Sequence, residues 1–222
     1  PEVMSQFVEK CKAADDIATV ERCLLHMDCT IMDFDTILSL LRTNEMYTAL
    51  FFVFNQGLDE FVTPLEILLE RLFDEADTGS PALPRRKNGT PQNDFERYGY
   101  KAILYLQMCF NGFTFPQENE IVPEERKASV GRELMSFLVK QEYDPSTHAR
   151  RSGDRMFTIG ARAGIYPYMR LLLQVDSRCF FQTLSLWFDS PGLVQGSFQN
   201  LDASHVWVNA RSTTRPIPRH SV

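Results

Sequence analysis

Apolar residues recur at intervals of three and four through most of the first 188 positions, the spacing that places side chains on one helical face. Val3, Met4, Phe7, Val8 and Cys11 predict a helix over residues 1–12. Asp15 or Asp16 caps a second, with Ile17, Val20, Leu24 and Met27 on one face and Cys23 beside them. Asp33 caps a third, bearing Phe34, Ile37, Leu38 and Leu41. The next stretch departs from this pattern. Met46, Tyr47, Ala49, Leu50, Phe51, Phe52, Val53 and Phe54 are apolar on nearly every side of a helix. Such a helix must be covered on most sides, so other helices are expected before and after it. Gly57 is placed to end it with a positive φ. Thr63 and Glu66 have the spacing of a capping box for the following helix, and Pro64 falls at its first position. The two are read as helices over 45–56 and 64–75.

Residues 77–93, DTGSPALPRRKNGTPQN, lack apolar periodicity and predict a flexible loop. Asn93 caps a helix through Glu96, with Phe95, Tyr98, Ala102, Leu106, Cys109 and Phe113 on one side. Asn111-Gly112 ends that helix. Pro123 opens another, with Glu124 and Glu125 in its first turn, where the helix dipole favours them. Its buried stripe is Val130, Leu134, Phe137 and Leu138. A second flexible loop is expected near 141–163, carrying Arg150, Arg151, Arg155 and Arg162. Pro167 then starts a short helix through Leu173. Asp176 caps the last helix, whose inner face carries Phe180, Leu184, Trp187 and Phe188. Beyond Asp189 the periodicity fades, and 189–222 read as a poorly structured tail.

About nine helices joined by short turns, without a convincing strand pattern, predict an all-α fold. Its form is an α-solenoid of paired antiparallel, clathrin-repeat-like helices over 1–188. A strict repeat is absent, which weighs against tetratricopeptide or ankyrin arrays with their consensus positions. A compact helical bundle is the competing fold.

Composition narrows the function classes. Of 222 residues, 44% are hydrophobic and the net charge is −6, which argues against a phosphate-neutralising nucleic-acid surface. No apolar run reaches a bilayer span of about 20 residues. The five cysteines are odd in number and no secretory signal opens the chain, so reduced thiols in a cytosolic protein are expected. The chain begins in helix-like sequence, as a fragment of a longer protein would. The Asn88-Gly89-Thr90 sequon then reads simply as a turn.

Candidate chemistry is sparse. Cys23, His26 and Cys29 are spaced three apart with Cys11 upstream, but Cys29 lies at or beyond the helix end; buried thiols and a capping or exposed histidine are the simpler reading. His148, His205 and His220 fall in loops without a relay partner. Asp15-Asp16 and Glu124-Glu125 sit at helix starts, where capping explains them. No phosphate-cradling loop, nucleophile elbow or paired-histidine zinc motif is present. Arg85-Arg86-Lys87 and Arg150-Arg151 read as solvated loop charge, with an acidic lipid or partner face as the alternative, and Arg150-Arg151-Ser152 has a basophilic kinase spacing. Phe51–Phe54 and Phe180-Phe181 read as core. No catalytic, cofactor-binding or metal residue is assigned, no cofactor is expected, and binding residues stay undetermined.

Two stretches carry a resemblance. MYTALFFVFNQGLDEFVTPLE contains Phe54, Asn55, Gly57, Glu60 and Pro64. IYPYMRLLLQVDSRCFFQTLSLWFD contains Ile165, Tyr166, Pro167, Tyr168, Arg170, Leu172, Leu173, Asp176 and Phe180. Together they resemble the central helical region of the vacuolar protein sorting-associated protein eight family, the subunits specific to the CORVET tethering complex of early endosomes. The resemblance covers roughly Glu21 to Asp189. It implies a non-enzymatic scaffold acting in vesicle tethering and protein transport to the endosome or vacuole, cytoplasmic and peripheral on the membrane. It implies the class C core subunits and an early-endosomal Rab GTPase as partners. Family members add an amino-terminal propeller and a distal RING-type zinc module. Neither pattern is present here, so Rab recognition and zinc binding are not carried onto these residues. The family pattern should continue as helices beyond Asp189, and this sequence does not follow it.

The alternative reading is a peptide-binding helical module of another pathway, with a groove lined by Tyr98, Tyr105 and Phe113. Uncovered apolar faces on the end helices, at 1–12 and 177–188, predict self-association.

Overall fold

In a computed structural model, the chain is described over residues 2–13, 16–27, 33–77, 93–143 and 161–189. These residues form eight helices: α1 Glu2–Ala13, α2 Ile17–Leu24, α3 Phe34–Thr43, α4 Tyr47–Leu58, α5 Val62–Asp77, α6 Asp94–Phe110, α7 Glu124–Leu138 and α8 Pro167–Phe188. The fold is an all-helical α-solenoid. The extended structure among the described residues is one isolated antiparallel bridge, Phe113 to Glu120, in the α6–α7 turn.

The helices run alternately up and down. Tyr47 meets Tyr98 edge-on at 5.2 Å, and Phe51 stacks on Tyr105 at 4.0 Å, so α4 and α6 are parallel neighbours. Tyr100 donates to Asp176 Oδ2 at 3.0 Å, Gln107 donates to Thr183 Oγ1 at 3.0 Å, and Phe110 lies 5.7 Å from Trp187. The second half of α8 therefore runs parallel to α6. Between them α5 and α7 return in the opposite direction: Arg71 of α5 reaches Glu45 ahead of α4, while Arg126 at the start of α7 reaches Asp59 beyond α4.

The all-round apolar character of α4 follows from its place between two cores. Ala49, Leu50, Phe52, Val53 and Phe54 join Val8, Val20, Leu24, Ile37 and Leu41 on one side. Tyr47 and Phe51 join the larger core of α5 to α8 on the other. Covering on both sides is what that composition required.

Two close approaches set the seat of α8. Gly99 lies under Val175 and Gly131 under Trp187, where an added Cβ would come within 2.3 Å and 2.2 Å of those side chains. The bend expected at Asp176 is present: its φ, ψ of −159°, 99° interrupt α8, and its Oδ1 accepts from the Cys179 N–H at 3.0 Å. Asn93 and Asp16 cap α6 and α2 as their spacing predicts.

Several expectations are corrected. Gly57 does not end α4. The helix continues to Leu58, and Asp59 takes the left-handed conformation at φ 51°. The Thr63 capping box gives way to Glu60, whose Oε1 accepts from the N–H groups of Val62 and Thr63 at 2.8 and 3.0 Å. α5 thus begins before Thr63, and Pro64 sits at its third position. There its missing N–H is still one of the unpaired donors of a first turn. Asp33 precedes α3, but its carboxylate bonds the Thr36 hydroxyl rather than a backbone N–H. Met27, Phe113, Phe181 and Phe188 are exposed rather than core, because no described helix covers their side of the array. Of the two loops, residues 78–92 and 144–160 lie outside the described residues, as do 190–222. Residues 161–166 are docked against the body of the fold: the Tyr166 N–H donates to Gln141 O at 3.1 Å.

Candidate functional site

The polar side chains between the helices gather in a few networks. Glu45 occupies the tight α3–α4 turn with a positive φ of 55°. From there its carboxylate accepts from the Tyr98 hydroxyl and from Arg71 Nε at 3.1 Å, with Arg97 Nη2 at 3.8 Å. Burial pushes the Glu45 carboxyl up, but the bond from Tyr98 and the two guanidiniums outweigh it and hold the group below the usual range. The same arrangement, burial first and then the Glu45 bond, pushes Tyr98 up to about 12. Nearby, Glu21 of α2 caps α4, accepting from Thr48 and Ala49 N–H at 2.7 and 3.0 Å. Lys101 donates to Thr48 Oγ1 at 2.8 Å.

Arg162 is the centre of a second network. Its guanidinium bonds Asp74 at 2.8 Å and Asp77, lies 3.5 Å from Glu70, and stands over the rings of Phe73 and Tyr143 at 5.1 and 5.4 Å. Tyr143 donates to Glu70 Oε2 at 2.6 Å, and the Ala161 N–H donates to Asp77 Oδ1 at 2.8 Å. Burial raises the Glu70 carboxyl despite the opposing pull of Tyr143 and Arg162. A third network joins Arg126 to Asp59 at 2.6 Å and to Glu133 at 2.7 Å, across the α4–α5 turn.

These arrangements can join helices. Most of their bonds cross between elements, although Arg126 and Glu133 both belong to α7 and Glu70 Oε1 is buried without a hydrogen-bond partner. The pKa displacements follow from burial and pairing. Cys109 is buried beside Tyr105, and burial pushes its thiol up to about 12, which suits an inert core residue.

Candidate residues from the sequence separate accordingly. Cys23 and His26 are exposed and Cys11 is half-buried, so Cys23 is not the buried thiol expected; Cys29 lies outside the described residues. Among the described residues no three His, Cys, Asp or Glu side chains gather as a metal site. Glu124 and Glu125 occupy the first turn of α7, as their dipole reading requires. Asp15, His148, His205, His220, Arg85, Arg86, Lys87, Arg150, Arg151, Ser152 and Arg155 fall outside the described residues. Arg162 was placed in the flexible loop near 141–163 and is instead bound to α5. The groove of Tyr98, Tyr105 and Phe113 does not exist: the two tyrosine side chains are buried in the core, and Phe113 is exposed in the α6–α7 turn. Tyr105 is closed in by Phe51, with its hydroxyl donating to Phe61 O at 2.8 Å.

Two cavities stand out among the described residues. One of about 10 Å³ beside Trp187 and Gly131 has room for a single water. The other is an open groove of about 530 Å³ between α1 and α3, with Glu9, Lys12, Asp35, Thr36, Ser39 and Leu40 among its lining residues. No helix among the described residues is long and apolar enough to cross a membrane.

Residues that sequence reading missed include Glu60, Asp59, Glu21 and Arg162. Glu60 carried a faint signal, an acid two and three positions before the N–H groups it caps. The others bond across 27 to 92 positions of chain, and no local pattern marks such partners.

Comparison with known proteins places this geometry. The family described as the Vps8 central TPR matches residues 1–188. The chain is 26% identical over 189 residues to the vacuolar protein sorting-associated protein 8 homologs of Mus musculus and of Homo sapiens. The match takes in 85% of this chain and 12% of the length of each relative. No solved structure matches. A tetratricopeptide description was not expected, because the helices carry its hairpin geometry without a strict consensus. With parallel α4, α6 and α8, returning α5 and α7, and a family match across the described helices, the chain belongs to the Vps8 central TPR family.

Proposed function

We propose that this chain is a non-enzymatic scaffold segment of an endosomal vesicle-tethering subunit, acting in vesicle-mediated protein transport to the endosome or vacuole. The observation that carries the reading is the family match over residues 1–188. The name of the relatives, vacuolar protein sorting-associated protein 8 homolog, supports the sorting role. An array in which each helix contacts near neighbours supports the scaffold role, since it exposes a long surface on a connected frame. Residues 1–188 act as one solenoid unit, with 189–222 as an appended tail. The partners are the other subunits of the tethering complex, the class C core among them. An early-endosomal Rab GTPase engages regions outside this chain. The protein works on the cytoplasmic side, peripheral to the endosomal membrane and joined to it indirectly.

The test is a titration of the purified chain against each core subunit separately and against the Rab in its GTP state. Saturable binding to one core subunit, without binding to the Rab, is the expected result. Binding to none of them by the folded chain overturns the assembly role. It leaves a spacer between more distant parts of the subunit.

A further inference from the structure

Helices α2, α4, α6 and the second half of α8 run parallel, so their C-terminal ends share one edge of the solenoid. The direction of α2 follows from two bonds: Glu21 caps the start of α4, while Leu25 O accepts from Gln117 in the turn that follows α6. That same turn meets the end of α4, where Gln56 donates to Thr114 Oγ1 at 3.4 Å. The large apolar side chains exposed among the described residues are concentrated here. Met27 follows α2, Leu58 ends α4, Phe113 and Val122 lie in the turn after α6, and Phe188 ends α8. They are 38%, 51%, 39%, 72% and 48% exposed, five of the eight such residues. In the α6–α7 turn, Phe113 stands opposite Glu120 in the antiparallel bridge, and Val122 follows two residues after Glu120.

The charge along this edge has one sign. Glu118, Glu120, Glu124 and Glu125 are exposed around Phe113 and Val122. The nearby cations are occupied: Arg126 by Asp59 and Glu133, and Lys127 by Glu124 at 3.8 Å. An apolar row beside an acidic rim disfavours an anionic lipid surface through like-charge repulsion, and it disfavours a second acidic copy for the same reason.

We propose that this edge is a docking surface for a basic, apolar-containing extended segment of a partner protein. Neighbouring helices lie about 8–10 Å apart. A segment in the extended polyproline II conformation advances about 3.1 Å per residue with three residues per turn, so every third side chain faces the surface and meets a successive helix end. The occupant therefore carries apolar side chains at about every third position, for Leu58, Phe113 with Val122, and Phe188. Lysine or arginine between them faces the four glutamates. The proposal goes beyond the tethering role and does not depend on it.

The test uses the whole 222-residue chain and labelled peptides of about twelve residues. One has leucine at every third position with lysine between, a second replaces lysine by glutamate, and a third keeps lysine but lacks leucine. Fluorescence anisotropy is expected to show saturable binding of the first and at least about 10-fold weaker binding of the other two. Combining Leu58→Ser, Phe113→Ser and Val122→Ser weakens the first peptide about 10-fold or more. Glu118→Lys with Glu120→Lys does so independently, with no apolar change. Leu104→Ser and Ile165→Ser, exposed elsewhere, leave binding unchanged. Thermal melts identify any variant that has lost its fold. Three outcomes overturn the proposal: equal binding of all three peptides, binding insensitive to the edge variants, or no binding at all. Binding of phosphatidylserine vesicles through the edge, or a dimer abolished by the serine substitutions, also overturns it in favour of another occupant.

Discussion

Arg162 illustrates how much one side chain decides in this fold. Its side chain is 15% exposed and meets Glu70, Asp74 and Asp77 while covering two aromatic rings. Arg162→Ala leaves a half-buried Glu70 without its cation and removes the packing on Phe73, so a loss of about 2–4 kcal/mol is expected in urea unfolding. Arg97, 54% exposed, offers the contrast: Arg97→Ala should cost less than about 1 kcal/mol, because water screens its pairs with Asp94 and Glu45. Two carboxyls give opposite pH signatures. Glu45 is held below its usual range, so its contribution is present above the unfolded-state value and is lost as pH falls through the folded one. Glu70 is raised, so its contribution is present at low pH and is lost as pH rises through the carboxylate range. Stability measured from pH 3 to pH 7 should rise less steeply in Glu45→Gln than in the unaltered chain, and more steeply in Glu70→Gln. Matching slopes in all three would refute the sign of both shifts.

At the scale of elements, two glycines discriminate between local and tertiary demands. Gly57 lies inside α4 and is exposed, so it performs none of the turn chemistry its position suggested. Gly57→Ala should stabilise the chain by about 0.5–1 kcal/mol through helix propensity and a less flexible unfolded state. Gly131 is also helical, but Trp187 occupies the space its side chain would take. Gly131→Ala should destabilise by about 1–3 kcal/mol and shift the fluorescence of Trp187 as α8 is pushed away. A stabilised Gly131→Ala would mean that α8 is not seated on α7 as described. Helix positions and lengths were legible because Asp16, Asn93 and Asp176 cap through residues three positions on, within a single turn. The α4–α5 connection was misread because Gly57 and Thr63 are good candidates by propensity, while Asp59 and Glu60 prevailed through contacts with Arg126 and the α5 N–H groups.

Across the whole molecule, α4 divides two cores, one with α1 to α3 and one with α5 to α8. Its amides should therefore be among the slowest to exchange in native-state hydrogen exchange, with protection falling toward α1 and the end of α8. Leu50→Ala and Phe51→Ala remove neighbouring residues that point into different cores. Each should cost about 2–5 kcal/mol, and exchange should quicken mainly in α1 to α3 for the first and in α5 to α8 for the second. Uniform quickening in both variants would describe a single bundle-like unit instead. Phe181 stays about half exposed on α8, at 46% and about two turns back from the acidic edge, which keeps the self-association expectation specific. Sedimentation should show concentration-dependent association that Phe181→Ser reduces.

The amino-acid sequence by itself determined the helical class, most helix starts, the need of α4 for cover on both sides and the resemblance that leads to the family. Each of these is written in spacings of a few residues, where periodicity and capping act. The tertiary structure alone decided that Arg162 binds α5, that Tyr98 and Tyr105 close a core rather than line a groove, and that Gly99 and Gly131 admit α8. It also decided that four helix ends present their apolar side chains along one acidic edge. These depend on residues brought together from distant parts of the chain, and apolar periodicity marks a face without naming the helix that will cover it.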